Sequence, residues 1–183
     1  MIAEVLMDRG DLAGAARFAQ KSIAADTKAI MSHFILGVVA QRSGRYEEAL
    51  GEFRKADDAK KLLLKTKVRT LHANMGDCLA RLGRTAEAEA EFLEEIREMP
   101  ASSEGRIGLA LLYRSEGRDS EVRSVLEGLI TATPQPDPAA YLTVIRTFVA
   151  LGDAAAAQEW AARARTAFPR DARFGPARKD ASR

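Results

Sequence analysis

The chain has 183 residues, 46% of them hydrophobic and 30% charged, with 28 Lys and Arg against 26 Asp and Glu. This composition fits a folded chain, and a net charge of +2 argues against a dedicated nucleic-acid binder. The single cysteine, Cys78, excludes an internal disulfide and a cysteine-based metal cluster, and no apolar run approaches a membrane span.

In chain order the sequence predicts about ten helices. A short first helix over 2–9 ends at Gly10, and a second runs over 12–25. Further helices are expected over 30–43, 46–60, 64–82, 86–98, 103–116, 119–132, 138–151 and 154–167. The breaks between partners fall at Gly10, Gly44, Gly83, Gly117 and Gly152, about 35 residues apart, the mark of a repeated helix-turn-helix unit. Each glycine closes a helix because it accepts the left-handed conformation. Asp11, Arg45, Arg84, Arg118 or Asp153 follows at once, and then a small or β-branched residue: Ala15, Ala49, Ala88, Val122 or Ala157. Nine residues after the later four glycines stand Phe53, Phe92, Leu126 and Ala161, candidates to fill the space between paired helices. Pro100, Pro134 and Pro169 close three units.

The Leu36-Gly37 pair, Tyr113, the turn glycines, the small residue after each, Phe53, Phe92 and the closing prolines together resemble the tetratricopeptide repeat. The resemblance covers about residues 2–171. It implies an all-α, right-handed superhelical solenoid of antiparallel helix pairs. Units are expected at about 1–29, 30–68, 69–102, 103–137 and 138–171, with a short flexible tail over 172–183. The truncated first unit and the unpartnered Trp160 suggest poorly capped ends, hence an excerpt of a longer array or self-association through an uncapped end.

No catalytic constellation is visible, and neither a cofactor nor a metal is expected. His33 and His72 each stand eleven residues before a turn glycine and read as packing histidines. Cys78 reads as a buried inert thiol. Gly105 and Gly108 follow no strand and precede no Gly-Lys-Ser/Thr, so they form no phosphate loop. The most basic stretch, Lys60 to Arg69, reads as a solvated edge with a minor nucleic-acid alternative.

In tetratricopeptide arrays the first helix of each unit lines a concave groove. The resemblance places Met31, Phe34, Val38, Arg42, Asp77, Arg81, Ile107, Leu111, Arg114, Leu142, Arg146 and Val149 there. An apolar floor of Phe34, Val38, Ile107, Leu111, Leu142 and Val149 beside Arg42, Arg81, Arg114 and Arg146 suits a peptide or helix with hydrophobic anchors and acidic side chains. Of the family positions that grip chaperone tails, only Asn74 matches, which argues against that function. The expected function is a non-catalytic protein-interaction scaffold or adaptor, with a bacterial assembly, secretion or envelope role implied by the Ala- and Arg-rich repeats. The alternative is a regulatory or targeting segment of a larger protein whose active site lies elsewhere. The partner is a protein or peptide of unknown identity. The compartment is unknown, with the cytoplasm favoured and the periplasm open if a signal is missing.

Overall fold

The computed structural model describes residues 5–7, 9–25, 29–62, 68–135 and 137–175. Among them the regular structure is helical: α1 (Leu12–Ala25), α2 (Ile30–Arg42), α3 (Tyr46–Leu62), α4 (Leu71–Arg81), α5 (Thr85–Glu98), α6 (Ser103–Ser115), α7 (Asp119–Ile130), α8 (Pro138–Ala150) and α9 (Ala154–Ala167). A 3-10 turn, Ala172–Phe174, follows. Among the described residues no helix is long and apolar enough to cross a membrane. Of the expected helix 2–9, residues 5–7 are helical and residues 1–4 and 8 lie outside the described set.

All five turn glycines take positive φ, between 74° and 79°. The backbone around them closes the same way each time. At the second turn the Gly44 amide donates to the Gln41 carbonyl at 2.9 Å and the Arg45 amide reaches back to Ala40 at 2.9 Å. This is the wrapped helix end that only a left-handed residue allows cheaply. The next residue then starts the second helix. Asp153 caps α9 through the Ala156 amide at 2.9 Å. Where Arg stands instead, it pairs with a first-turn glutamate: Arg45 with Glu48 at 2.7 Å and Arg84 with Glu87 at 2.6 Å.

The chain divides into two compact units, Met1–Gly108 and Leu109–Arg183, and the division falls inside α6. In the first unit α1 packs on α2 through Ala15, Ala19, Ile35 and Val39. Phe53 on α3 is fully buried, and its ring lies where a Cβ on Gly37 would stand, 2.4 Å away. Phe92 on α5 sits over Gly76 at 2.7 Å and over Gly108 at 2.2 Å by the same measure. Close helix approach and a large ring in the gap thus come as a matched pair.

The start of α4 corrects the expected 64–82. Residues 63–67 lie outside the described set, but 68–70 are non-helical and the helix begins at Leu71. Thr70 is in the left-handed region at φ 63°. The buried Glu95 carboxylate of α5 takes the Thr70 amide at 3.1 Å and the Ala73 amide at 3.3 Å, replacing a local cap.

In the second unit α7 packs on α8 and α8 on α9. Leu126, Val144 and Phe148 are buried there. Trp160, expected to lack a partner, is buried against the edge of Tyr141, ring centres 5.9 Å apart. The tail, expected to be flexible from 172, instead turns back through Ala172–Phe174. Phe174 is buried and stacks on Phe168 at 5.7 Å, and Phe168 meets Tyr141 at 5.4 Å. Aromatic residues on either side of Pro169 thus extend the cluster around Tyr141 and Trp160. Residues 176–183 lie outside the described set.

Candidate functional site

The first helices of each unit carry the expected groove residues. In the first unit α2 and α4 lie side by side, and Gln41 Nε2 donates to Asp77 Oδ2 at 2.8 Å. Asp77 also accepts from Arg81 Nε at 3.1 Å, and the Arg81 guanidinium stands 5.5 Å from the Tyr46 ring centre. Arg81 is therefore already neutralised and held. Arg42 is exposed, with the Met7 carbonyl at 3.5 Å its one polar contact among the described residues. Met31 is 44% exposed, whereas Phe34 and Ile107 are half-buried. Phe34 leans on Phe53, ring centres 5.8 Å apart. Val38 departs from expectation: at 8% exposure it is a core residue rather than part of an open floor.

In the second unit Leu111 is 50% and Val149 63% exposed, with Leu142 half-buried. Arg114 pairs with Asp119 at 2.6 Å, so it too is compensated. Arg146 is exposed and makes no ion pair among the described residues. Of four expected arginine readers, Arg42 and Arg146 make no ion pair with a carboxylate among the described residues. The Asp77–Arg81 pair stands at i,i+4 on one helix and is open to sequence spacing, whereas Arg114 meets Asp119 only across the Gly117 turn. Tyr46, which supports Arg81, was also missed. It lies at the start of α3, outside the first-helix pattern.

The remaining polar chemistry is structural. His33 Nδ1 meets Glu52 at 2.8 Å and His72 Nδ1 meets Glu91 at 2.7 Å, so both histidines are buried with a carboxylate partner. Cys78 is fully buried, and burial pushes its thiol up to about 12, which keeps it protonated and unreactive. His72, Glu94 and Glu98 each offer a ligand atom within 4.8 Å of the others. Lys60 Nζ, however, lies 3.0 Å from His72 Nε2 and 2.9 Å from Glu98, so an ammonium already fills the cation position. Burial would strip that proton, but Glu98 and Asp57 more than offset it and raise the Lys60 pKa. The expected basic edge is thereby weakened. Lys60 is buried, and Lys61 pairs with Asp57 at 2.6 Å.

Solved structures share the fold at low sequence identity. YrrB, described as a TPR protein with an unusual peptide-binding site, is 21% identical with a TM-score of 0.58, over 94% of this chain and 85% of that one. MamA is 19% identical with a TM-score of 0.62, over 92% and 95%. PilF of Pseudomonas aeruginosa is 18% identical with a TM-score of 0.65, over 94% and 76%. These likenesses establish the all-α, tetratricopeptide-type fold class. No curated protein matches the chain by sequence. Residues 1–146 match the family model of the N-terminal domain of EccA1, a protein of the ESX-1 type VII secretion system, and the chain belongs to that family.

Proposed function

We propose that this chain is a non-catalytic protein-interaction domain whose partner docks on the first-helix faces of the repeats and belongs to a type VII secretion process. The observation that carries the reading is the exposure of large apolar side chains on those helices. Met31, Leu111 and Val149 stand in solvent at 44%, 50% and 63%, while Ile35, Leu112 and Phe148 on the same helices are buried. Covering each such half-exposed side chain is favourable by about 1 kcal/mol, roughly half the figure for full burial. Arg42 and Arg146 add charge with no carboxylate partner among the described residues, which favours acidic groups in the partner and faster encounter. The family describes the N-terminal domain of a larger protein, which supports a second element: the domain recruits a partner to chemistry carried elsewhere.

Photocrosslinking tests the surface directly. A photoreactive residue at 31, 111 or 149 should capture a secretion-system protein. The same residue at 18 or 93 should not, although Phe18 and Leu93 are 41% and 48% exposed on second helices. Capture from 18 and 93 alone would move the site to the second-helix face.

A further inference from the structure

We propose that His72 is a proton-operated switch at the joint between the second and third repeats, accepting a hydrogen bond from Lys60 when neutral and donating one to Asp57 when protonated. The two ring nitrogens face opposite chemistry. Nδ1 lies 2.7 Å from Glu91 Oε2, and a carboxylate only accepts, so Nδ1 carries a proton in both states. Nε2 lies 3.0 Å from Lys60 Nζ, and an ammonium only donates. A neutral ring protonated on Nδ1 satisfies both partners. A second proton, on Nε2, sets two donors against each other.

That proton has a waiting acceptor. Asp57 Oδ1 is 3.6 Å from Nε2 and Glu98 Oε1 is 3.7 Å away. Glu98 already takes Lys60 on both oxygens, at 2.9 and 3.0 Å. Asp57 Oδ1 is buried and takes no well-directed hydrogen bond among the described residues, although Lys60 Nζ stands 3.1 Å away. A buried carboxylate oxygen in that condition gains most from a new donor. Lys60 then turns wholly to Glu98.

The surrounding charges favour the second proton. From α3 the ring is faced by Asp57, Lys60 and Lys61, and from α5 by Glu91, Glu94 and Glu98. Arg97 takes Glu94, and Asp57, Glu91 and Glu98 face Lys60 and Lys61. Burial works against the imidazolium and so does Lys60. Glu91 and Asp57 outweigh them, and the His72 pKa is raised. Lys60 and Asp57 stand about one turn apart on α3. Protonation therefore exchanges the α3 partner of His72 from Lys60 to Asp57 and turns an ion–neutral contact into an ion pair.

The test is a pH titration of the full chain by NMR with labelled imidazole nitrogens, from pH 5 to 9. Neutral His72 should show the Nδ1–H tautomer rather than the Nε2–H form that free imidazole prefers. Lys60→Met should raise the midpoint and Asp57→Asn should lower it, each by about 0.5–1 pH unit. Amide exchange at the start of α4 should slow below the midpoint in the parent but not in Asp57→Asn. The Nε2–H tautomer, a midpoint that neither variant moves, or the same exchange profile in Asp57→Asn would overturn the proposal. The tautomer is read on the unaltered chain, so the proposal stays testable even where a buried substitution unfolds the protein.

Discussion

His33 and Glu52 meet at 2.8 Å across the two helices of the second repeat, and one repeat later His72 and Glu91 meet at 2.7 Å. Both pairs are 19 residues apart and hold the same places relative to the turn glycine. In the last repeat those places belong to Tyr141 and Trp160, which make an edge contact at 5.9 Å. The position is a cross-brace between paired helices, filled by a polar pair in the second and third repeats and by an aromatic pair in the last.

Glu52→Gln should lower stability by about 1–2 kcal/mol, since the substitution replaces a charge-assisted contact with a weaker one beside a buried ring. Urea unfolding measures it. An unchanged midpoint would mean that the brace contributes nothing.

Two helix glycines separate packing from propensity. Gly37→Ala should cost about 1–3 kcal/mol, because its new Cβ would stand 2.4 Å from the buried Phe53 ring. Gly51→Ala meets nothing within 4 Å on α3 and should stabilise by about 0.5–1 kcal/mol. Denaturant midpoints moving in the same direction would show that the ring contact is not the reason for Gly37.

The raised pKa of His72 fixes a pH dependence. The unfolded histidine titrates near about 6.5, so the stabilisation from His72 is complete below that and is lost as pH rises through the folded value. Asp57 and Glu52 have depressed values, with burial more than offset by Lys61 and Lys60 on Asp57 and by Lys55 and His33 on Glu52. Their contribution is lost on the acid side, so the comparison belongs above about pH 5. The stability difference between parent and His72→Gln should shrink from pH 5.5 to pH 9. A difference that grows over that range would reverse the assignment.

Phe174→Ala removes the buried ring that stacks on Phe168. Core phenylalanine truncations cost about 3–5 kcal/mol, and Phe53→Ala should fall in that range. Phe174→Ala should cost less, since its short turn can detach alone. Trp160 fluorescence should shift to the red while helix content holds. An unshifted spectrum would mean that Trp160 is covered without the turn.

The repeat was readable because it is written in backbone requirements. Positive φ at Gly44 and its counterparts and the Gly37–Phe53 match are local or one-repeat relationships, and periodic sequence exposes them. The start of α4 was not readable. It is set by Glu95, which reaches the Thr70 and Ala73 amides from a helix later in the chain. The buried tail turn failed for a similar reason: Phe174 is worth burying only because Phe168 and Tyr141 are already clustered. At the site, spacing placed the expected residues on the first helices but not their state. Val38 is buried, and Asp77 and Asp119 occupy Arg81 and Arg114.

Recognition of a protein partner on the first-helix faces is tested by affinity. The direct measurement is the affinity of the crosslinked partner, purified, for the parent, Met31→Glu, Val149→Glu and Phe18→Glu by calorimetry. Met31→Glu and Val149→Glu should each weaken binding at least about tenfold, or about 1.4 kcal/mol, while Phe18→Glu binds like the parent. Parent-like binding by Met31→Glu and Val149→Glu, with loss in Phe18→Glu, would contradict the account.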